Sequence, residues 1–238
     1  MLPVCEKKGP AAVAWLKGVK HKFYEDRYRL LSNETPLVRR LNRGEVFAVF
    51  DGIGSAPEGM RSAQAMCDIL LDFYQQPDEY QAKYSDIQRL LMGGNLIIHD
   101  WGFMPGTDRP LGGCAGTIVW IYQSKIHIFH AGDTVALLIR SGESRQLTRM
   151  HDYNGAIYRY FGLGSRLEID MHQELLEEGD RILLLSDGVT KVFHPQEAAD
   201  FVEHYDDIAK AATQLARTSQ LKGSQDDITV LVIEIGES

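Results

Sequence analysis

Three apolar segments, each predicted to form a buried strand, carry an aspartate at one end. The segments are 47–50, 181–185 and 228–233. Asp51 and Asp187 are each followed by glycine, which lets the chain turn tightly where the strand stops, and Asp226 precedes the last strand. An Asp-Gly pair after a strand also occurs in plain turns, but its recurrence in this pattern indicates a shared chemical role.

Further carboxylates lie at strand ends. The alternation of polar and apolar residues over 27–30 predicts a strand, and Glu25 and Asp26 lie at its start. Asp133 lies in a short connection between two predicted β segments. A single acidic residue at a strand end is usually just a solvated surface residue. Acidic residues at four or more strand ends are harder to explain as separate coincidences, which favours a shared site.

Helices are predicted in three parts of the chain. Apolar residues at helical spacing indicate helices over 63–74, 80–101 and 195–218, and Gly93-Gly94 is expected to weaken or break the second. We expect the first two to cover one sheet. The order of helices and strands predicts an α+β fold, with helices outside antiparallel sheets, in a single domain spanning 1–238.

The middle of the chain predicts strands and a flap. Segments 117–122, 126–130 and 135–140 are joined by short connections, so we expect an antiparallel meander. Segment 33–44 is predicted as a connection. The long irregular segment 146–170 is expected to form a functional flap.

Composition excludes several classes of protein. A formal net charge of −8 and a pI near 5.5 argue against binding to nucleic acid or anionic lipid. The three cysteines have no metal-type spacing, which indicates a reducing compartment. The apolar segment 11–16 is too short for a secretory signal or a membrane span. We therefore expect a soluble, cytoplasmic protein without membrane partners.

Carboxylates without an accompanying histidine or cysteine pair favour a hard cation such as Mg²⁺ or Mn²⁺. Two such ions a few ångströms apart would hold a bridging water, lower its pKa and orient it for in-line attack on phosphorus. The sequence therefore indicates a phosphoester-hydrolysis site.

These segments resemble the motifs of the metal-dependent PP2C-type protein serine/threonine phosphatases. Among them are counterparts of that family's Gly-Thr-Thr, Val-Gly-Asp-Ser, Leu-Thr-Arg-Asp-His, Ser-Asp-Gly and Asp-Asn-Ile-Thr-Val segments. The matching segments, in the family's order, are Phe47-Ala48-Val49-Phe50-Asp51-Gly52, Gly116-Thr117, His130-Ala131-Gly132-Asp133-Thr134, Leu147-Thr148-Arg149-Met150-His151, Ser186-Asp187-Gly188 and Asp226-Asp227-Ile228-Thr229-Val230. The resemblance runs from about 18 to 235, nearly the whole chain.

The resemblance implies a central antiparallel β-sandwich flanked by α-helices on both sides, with two Mn²⁺ or Mg²⁺ ions at one end. It implies that 150–164 is the mobile flap over the substrate. By carry-over, Asp51 bridges both metals and the Gly52 carbonyl ligates one of them, whereas Asp187 and Asp226 ligate the other. The resemblance makes these three aspartates the catalytic set.

Other acidic residues match further family positions. Glu25 and Asp26 match an early acidic pair that acts through metal-bound water. Asp133, together with Asp187, matches the ligands of a weaker third metal site found in bacterial members.

Two positions depart from the family pattern. His21 stands where the family commonly has a phosphate-binding arginine, so phosphate binding is expected from His21 or from the adjacent Lys20 and Lys22. Ile53 stands where many eukaryotic members have a histidine, although bacterial relatives often have an apolar residue there.

The leading hypothesis is a bacterial-style phosphatase that opposes Ser/Thr kinases, acts on a phosphoprotein such as the kinase or its targets, and is monomeric. One alternative is a pseudophosphatase that serves as a binding module, for which His21 is the only support. Another is a phosphatase dedicated to a sigma-factor regulator, which would share the same chemistry.

Overall fold

Two antiparallel β-sheets stack face to face at the centre of the protein. The computed structural model describes residues 2–236. The strands are β1 (Val4–Lys8), β2 (Ala11–Leu16), β3 (Arg27–Leu31), β4 (Glu45–Gly52), β5 (Cys114–Tyr122), β6 (Lys125–Ala131), β7 (Val135–Arg140), β8 (Glu143–Gln146), β9 (Asp152–Tyr153), β10 (Ala156–Ile157), β11 (Asp170–Leu175), β12 (Arg181–Leu185) and β13 (Ile228–Glu234). The first sheet has the order β1-β2-β13-β12-β7-β8 and the second β11-β6-β5-β4-β3, while β9 and β10 form a separate hairpin.

Helices cover the outer face of each sheet. Those on the second sheet include the long pair α2 and α4, and α7 packs on the first sheet against β2 and β13. The helices are α1 (Pro36–Leu41), α2 (Gly59–Ile69), α3 (Asp72–Gln75), α4 (Tyr84–His99), α5 (Asp187–Thr190), α6 (Pro195–Glu203) and α7 (Ile208–Leu221). The predicted α+β class, a β-sandwich with helices on both sides, is confirmed.

The uninterrupted apolar sequence of β4 follows from its position between two apolar layers. Phe47 and Val49 point into the core between the two sheets, whereas Ala48 and Phe50 pack against the helices on the outer face. Because successive side chains of a strand point to opposite faces, a sheet covered on both sides needs apolar residues at every position. The apolar run stops at Asp51, the penultimate residue of β4.

The predicted meander is wrong at its third strand. β5 and β6 pair with each other, but β7 leaves that sheet and pairs with β12 and β8 in the other one. Gly132 adopts a φ of 118° in the connection, a conformation open to glycine that redirects the chain towards the opposite sheet. A short connection therefore joins the two sheets here instead of neighbouring strands.

Several other boundaries differ from the predictions. The helix predicted over 195–218 is two helices, because the chain breaks after α6 and restarts at Asp207, whose carboxylate caps α7 by accepting from the Lys210 amide at 2.7 Å. The first predicted helix is likewise divided into α2 and α3, and the connection 33–44 contains α1. By contrast, α4 runs without a break through Gly93-Gly94.

Six strands were not predicted: β1, β2, β8, β9, β10 and β11. Of these, β2 is a central strand paired with β1 and β13. Among the helices of residues 2–236, none combines the length and apolar character needed to cross a membrane.

Candidate metal centre

The strand register brings the predicted acidic strand ends to one end of the sandwich. The end of β4 pairs with the start of β5, which pairs with the end of β6, and in the other sheet the end of β12 lies beside the starts of β7 and β13. A cleft of about 850 Å³ opens there. The predicted site residues that line it are His21, Asp51, Gly52, Asp133, Asp187 and Asp226.

Asp51 and Asp187 approach each other from opposite sheets. Asp51 is the penultimate residue of β4, and its Oδ2 lies 3.4 Å from the backbone amide nitrogen of Asp187, the first residue of α5. A Cβ at Gly188 would lie 1.9 Å from the carbonyl oxygen of Asp227, so only glycine lets α5 begin this close to β13. That contact places Asp187 beside Asp226.

The Asp133 connection is held in place by buried hydrogen bonds. The Thr117 hydroxyl lies 2.7 Å from the Thr134 hydroxyl and 2.9 Å from His130 Nδ1. On the other side, the Gly132 amide donates to His151 Nδ1 at 3.1 Å. The matching segments around Thr117, His130 and His151 therefore serve to position Asp133 at the cleft.

Glu25 and Asp26 lie behind the cleft, immediately before β3. Asp26 is 1% exposed, and its Oδ2 accepts a hydrogen bond from the Thr229 hydroxyl at 2.6 Å. Glu25 is fixed through its backbone amide, which donates to Asp227 Oδ2 at 2.6 Å, while Asp227 Oδ1 accepts from the Gly18 amide at 2.7 Å. Asp227, which was not assigned a role from the sequence, thus organises the segment that carries the acidic pair.

Burial, together with the charges of neighbouring carboxylates, raises several pKa values around the cleft. Burial, and then the charges of Asp26, Asp187, Asp133 and Asp226, raise the pKa of Asp51. Burial raises the pKa of Asp26 to about 8 and, with the charge of Asp187, that of Asp133 to about 7. Each of these groups would remain charged more readily beside a cation, since an opposite charge favours the ionised form.

Lys191 is a site residue that sequence reasoning missed. Its Nζ contacts the Asp187 carboxylate and lies 2.7 Å from Asp226 Oδ2. Burial alone would raise the pKa of Asp226, but the hydrogen bonds and charges of Lys191 and Lys20 outweigh burial and lower that pKa. The position of Lys191 four residues after Asp187 at a helix start was the available signal, because such residues share a helix face.

The three residues predicted to bind phosphate, His21, Lys20 and Lys22, have different surroundings in the structure. His21 lines the cleft, but its Nδ1 lies 3.3 Å from Asp227 and 3.6 Å from Asp226, so it faces carboxylates. Lys20 lies 3.2 Å from Asp226. Lys22 stacks over the Phe23 ring at 5.2 Å and is outside the set of described residues that line the cleft.

The opposite wall of the cleft is formed by the predicted flap and by a second loop. The flap contributes Met150, Asp152, Ile157 and Tyr160 to the lining, and 152–157 forms the β9–β10 hairpin. A turn over 102–111, closed by the hydrogen bond from the Leu111 amide to the Gly102 carbonyl at 2.9 Å, adds Arg109. No sequence motif pointed to Arg109.

The donor set fits a hard divalent cation. Glu25 Oε2 and Asp133 Oδ1 are buried and have no hydrogen-bond partner among the described residues, and the carboxylates around them supply only oxygen. Within residues 2–236, however, no three of the His, Cys, Asp or Glu side chains already stand in an arrangement that would hold a metal. Lys191 contacts oxygens of both Asp187 and Asp226 at this place.

Comparison with known proteins decides the family. The family model for Protein phosphatase 2C matches residues 34–224. The chain belongs to the protein phosphatase 2C family. The predicted family and the predicted enzyme class, that of the PP2C-type protein serine/threonine phosphatases, are thereby confirmed.

Individual phosphatases of this family resemble the chain over most of its length. It is 26% identical over 195 residues to the protein phosphatase PhpP of Streptococcus pneumoniae, covering 73% of this chain and 75% of PhpP. The fold matches the serine/threonine phosphatase Stp1 of Staphylococcus aureus with a TM-score of 0.82 at 17% identity, over 95% of each chain. It also matches the serine/threonine phosphatase PstP of Mycobacterium tuberculosis with a TM-score of 0.78 at 20% identity, over 95% of this chain and 98% of PstP.

Proposed function

We propose that this protein phosphatase hydrolyses phosphoserine and phosphothreonine in proteins, and that it does so at a centre of two Mn²⁺ or Mg²⁺ ions. The observation that carries the proposal is the convergence of Asp51, Asp133, Asp187 and Asp226 in one cleft. When bound, such ions supply an activated water and neutralise charge on the phosphoryl oxygens. A structure of the catalytic domain of PstP in complex with two manganese ions supports this choice.

The proposed metal ligands are residues at or beside the ends of the central strands. Asp51 would bridge the two ions because it is the carboxylate between the two sheets, and the Gly52 carbonyl beside it would ligate one ion. Asp187 and Asp226 would ligate the other, since Lys191 already shows that a cation can contact both. These three aspartates are the proposed catalytic set.

The remaining carboxylates have supporting roles in this proposal. Glu25 and Asp26 lie behind the cleft and would act through water, because Asp26 is buried against Thr229. Asp133, with its partner-free Oδ1 facing the same cluster, would contribute to a weaker third site.

The substrate would approach between the flap and the turn that carries Arg109. A cleft of about 850 Å³ admits an extended peptide segment around the phosphorylated residue. Arg109 and His21 line this space and are the candidates for contact with the phosphoprotein, with Lys20 held beside Asp226. The flap side chains Ile157 and Tyr160 would cover the peptide.

Hydrolysis of synthetic phosphopeptides tests the proposal. We expect phosphate release from phosphoserine and phosphothreonine peptides with Mn²⁺ or Mg²⁺, slower release from a matched phosphotyrosine peptide, and none in excess EDTA. Tight peptide binding without turnover under every divalent ion would instead identify a pseudophosphatase. Full turnover in excess chelator would remove the metal mechanism. Activity confined to a phosphorylated sigma-factor regulator would support the dedicated-phosphatase alternative.

A further inference from the structure

Lys191 stands at the C-terminal end of the short helix α5 and reaches across to the start of β13. Its ammonium group contacts the Asp187 carboxylate, one helical turn earlier, and lies 2.7 Å from Asp226 Oδ2. These are the two carboxylates that the proposed function assigns to one metal ion. A lysine ammonium therefore sits where that ion's ligands meet.

Charge compensation is uneven across the cleft. Asp187 and Asp226 share the Lys191 ammonium, and Asp226 has Lys20 at 3.2 Å as a second partner. Asp133 Oδ1 has no hydrogen-bond partner among the described residues, and the Asp51 carboxylate receives only the long contact from the Asp187 amide at 3.4 Å. One half of the site is thus neutralised by lysine and the other half is not.

An ammonium group and a divalent ion make competing demands on the same oxygens. Lysine donates hydrogen bonds to lone pairs that a metal ion would accept, and two cations held a few ångströms apart repel each other. We propose that Lys191 is a counter-ion of the metal centre. Its ammonium group must leave Asp187 and Asp226 before a metal ion can bind them, so its presence weakens metal binding. This inference rests on the proposed metal-dependent function.

The side chain of Lys191 has room to leave. It is 46% exposed, lines the cleft and is carried on a flexible four-carbon stem, so the ammonium can turn towards solvent without a change in the backbone. Its departure would free oxygens of both carboxylates at once. The metal-free fold is stabilised meanwhile, because the lysine keeps like charges from facing each other unscreened.

Metal affinity of Lys191→Met tests the proposal. Methionine keeps most of the stem and removes the charge, so calorimetric titration with Mg²⁺ should show at least one dissociation constant lowered by about tenfold or more relative to wild type. A role for Lys191 only in folding would leave the affinity unchanged or weaken it. Lys7→Met is the matched control, because Lys7 lies in β1 paired with Ala12, near the opposite end of β2 from the cleft.

Thermal unfolding provides a second measurement on the same proteins. Without metal, Lys191→Met should melt below wild type, and saturating Mg²⁺ should raise its melting temperature by more than that of wild type. Lys191→Gln should show the same two effects, which covers the case in which the methionine variant does not fold. In the wild type, the ¹⁵Nζ NMR signal of Lys191 should shift when Mg²⁺ is added.

The outcomes separate this inference from the proposed function. If wild type and both variants bind Mg²⁺ with equal affinity, or if the Lys191 signal is unchanged while the ions bind, the counter-ion proposal is wrong and the metal centre stands. If wild type and variants all fail to bind Mg²⁺ and Mn²⁺, both proposals are overturned.

Discussion

His130 lies three residues before Asp133 and is fully buried in its neutral form. Its Nε2 is 2.9 Å from the Arg149 carbonyl oxygen, which can only accept, so Nε2 carries the proton and Nδ1 accepts from the Thr117 hydroxyl. Burial, and then the nearby His151, whose ring centroid is 4.9 Å away, lower the pKa of His130 to about 4.

This lowered pKa predicts a loss of stability in mild acid. The unfolded chain takes up a proton on His130 near its ordinary pKa of about 6.5, whereas the folded chain resists until about 4, so protons favour unfolding within that window. We expect this residue to remove about 2 kcal/mol from the free energy of unfolding between pH 7 and pH 5.

Urea unfolding in EDTA measures the effect. Between pH 7 and pH 5, the free energy of unfolding of the wild type should fall by about 2 kcal/mol more than that of His130→Gln. His204→Gln, a change at the exposed residue that follows α6, should keep the wild-type dependence of stability on pH. Parallel pH dependence in wild type and His130→Gln would contradict the assignment.

Among the site residues, those that come directly after a buried strand could be predicted from the sequence. Those whose place in the site depends on tertiary contacts could not. Asp51 and Asp187 could be recognised because a buried strand ends visibly in Asp-Gly. Arg109 could not, since its place on the cleft wall depends on how the turn over 102–111 folds back. Likewise, two of the carboxylates that face His21, those of Asp226 and Asp227, lie just before β13, more than two hundred residues later in the chain.

At the scale of elements, Gly93 and Gly94 in α4 differ in what surrounds them. A Cβ at Gly94 would lie 2.7 Å from Met66 Sδ in α2, a side chain that is fully buried, whereas a Cβ at Gly93 would have nothing within 4 Å. Gly94 therefore sets the close approach of α2 and α4, and Gly93 does not.

The two alanine variants should change stability in opposite directions. Gly93→Ala should raise the free energy of unfolding by about 0.5–1 kcal/mol through helix propensity and reduced unfolded-state entropy. Gly94→Ala gains the same term but overpacks the core, so we expect a net loss of about 1 kcal/mol. Chemical denaturation of each variant checks both signs, and equal stabilisation by the two substitutions would show that α2 and α4 are not packed this closely.

Element pairing was less predictable than element type. Hydrophobic periodicity locates β6 and β7, but both sheets are covered on both faces, so the sequence does not say which sheet a strand joins. Strand β2 (AAVAWL) is apolar throughout, so its sequence has no alternation that would indicate a strand. Strand β11 lies at the edge of its sheet, and its residues alternate between partly buried and exposed. Local pattern cannot reveal a choice between partners that are distant in the sequence.

At the scale of the whole molecule, the two sheets are arranged so that five connections meet at one end. That arrangement brings together carboxylates that influence one another's charge, and Lys191 contacts two of them, Asp187 and Asp226. The carboxylates are those of Asp26, Asp51, Asp133, Asp187 and Asp226. In this cluster burial raises the pKa values of Asp26 and Asp133, and Lys191 partly neutralises Asp187 and Asp226.

Calorimetric titration of Mn²⁺ into the metal-free protein and into Asp51→Asn tests the central claim most directly, with Asp200→Asn as the control for an exposed aspartate on α6. We predict that the wild type and Asp200→Asn bind two ions with resolvable affinity, and that Asp51→Asn binds fewer because the carboxylate shared between the ions is lost. Equal stoichiometry in Asp51→Asn and wild type would contradict the account.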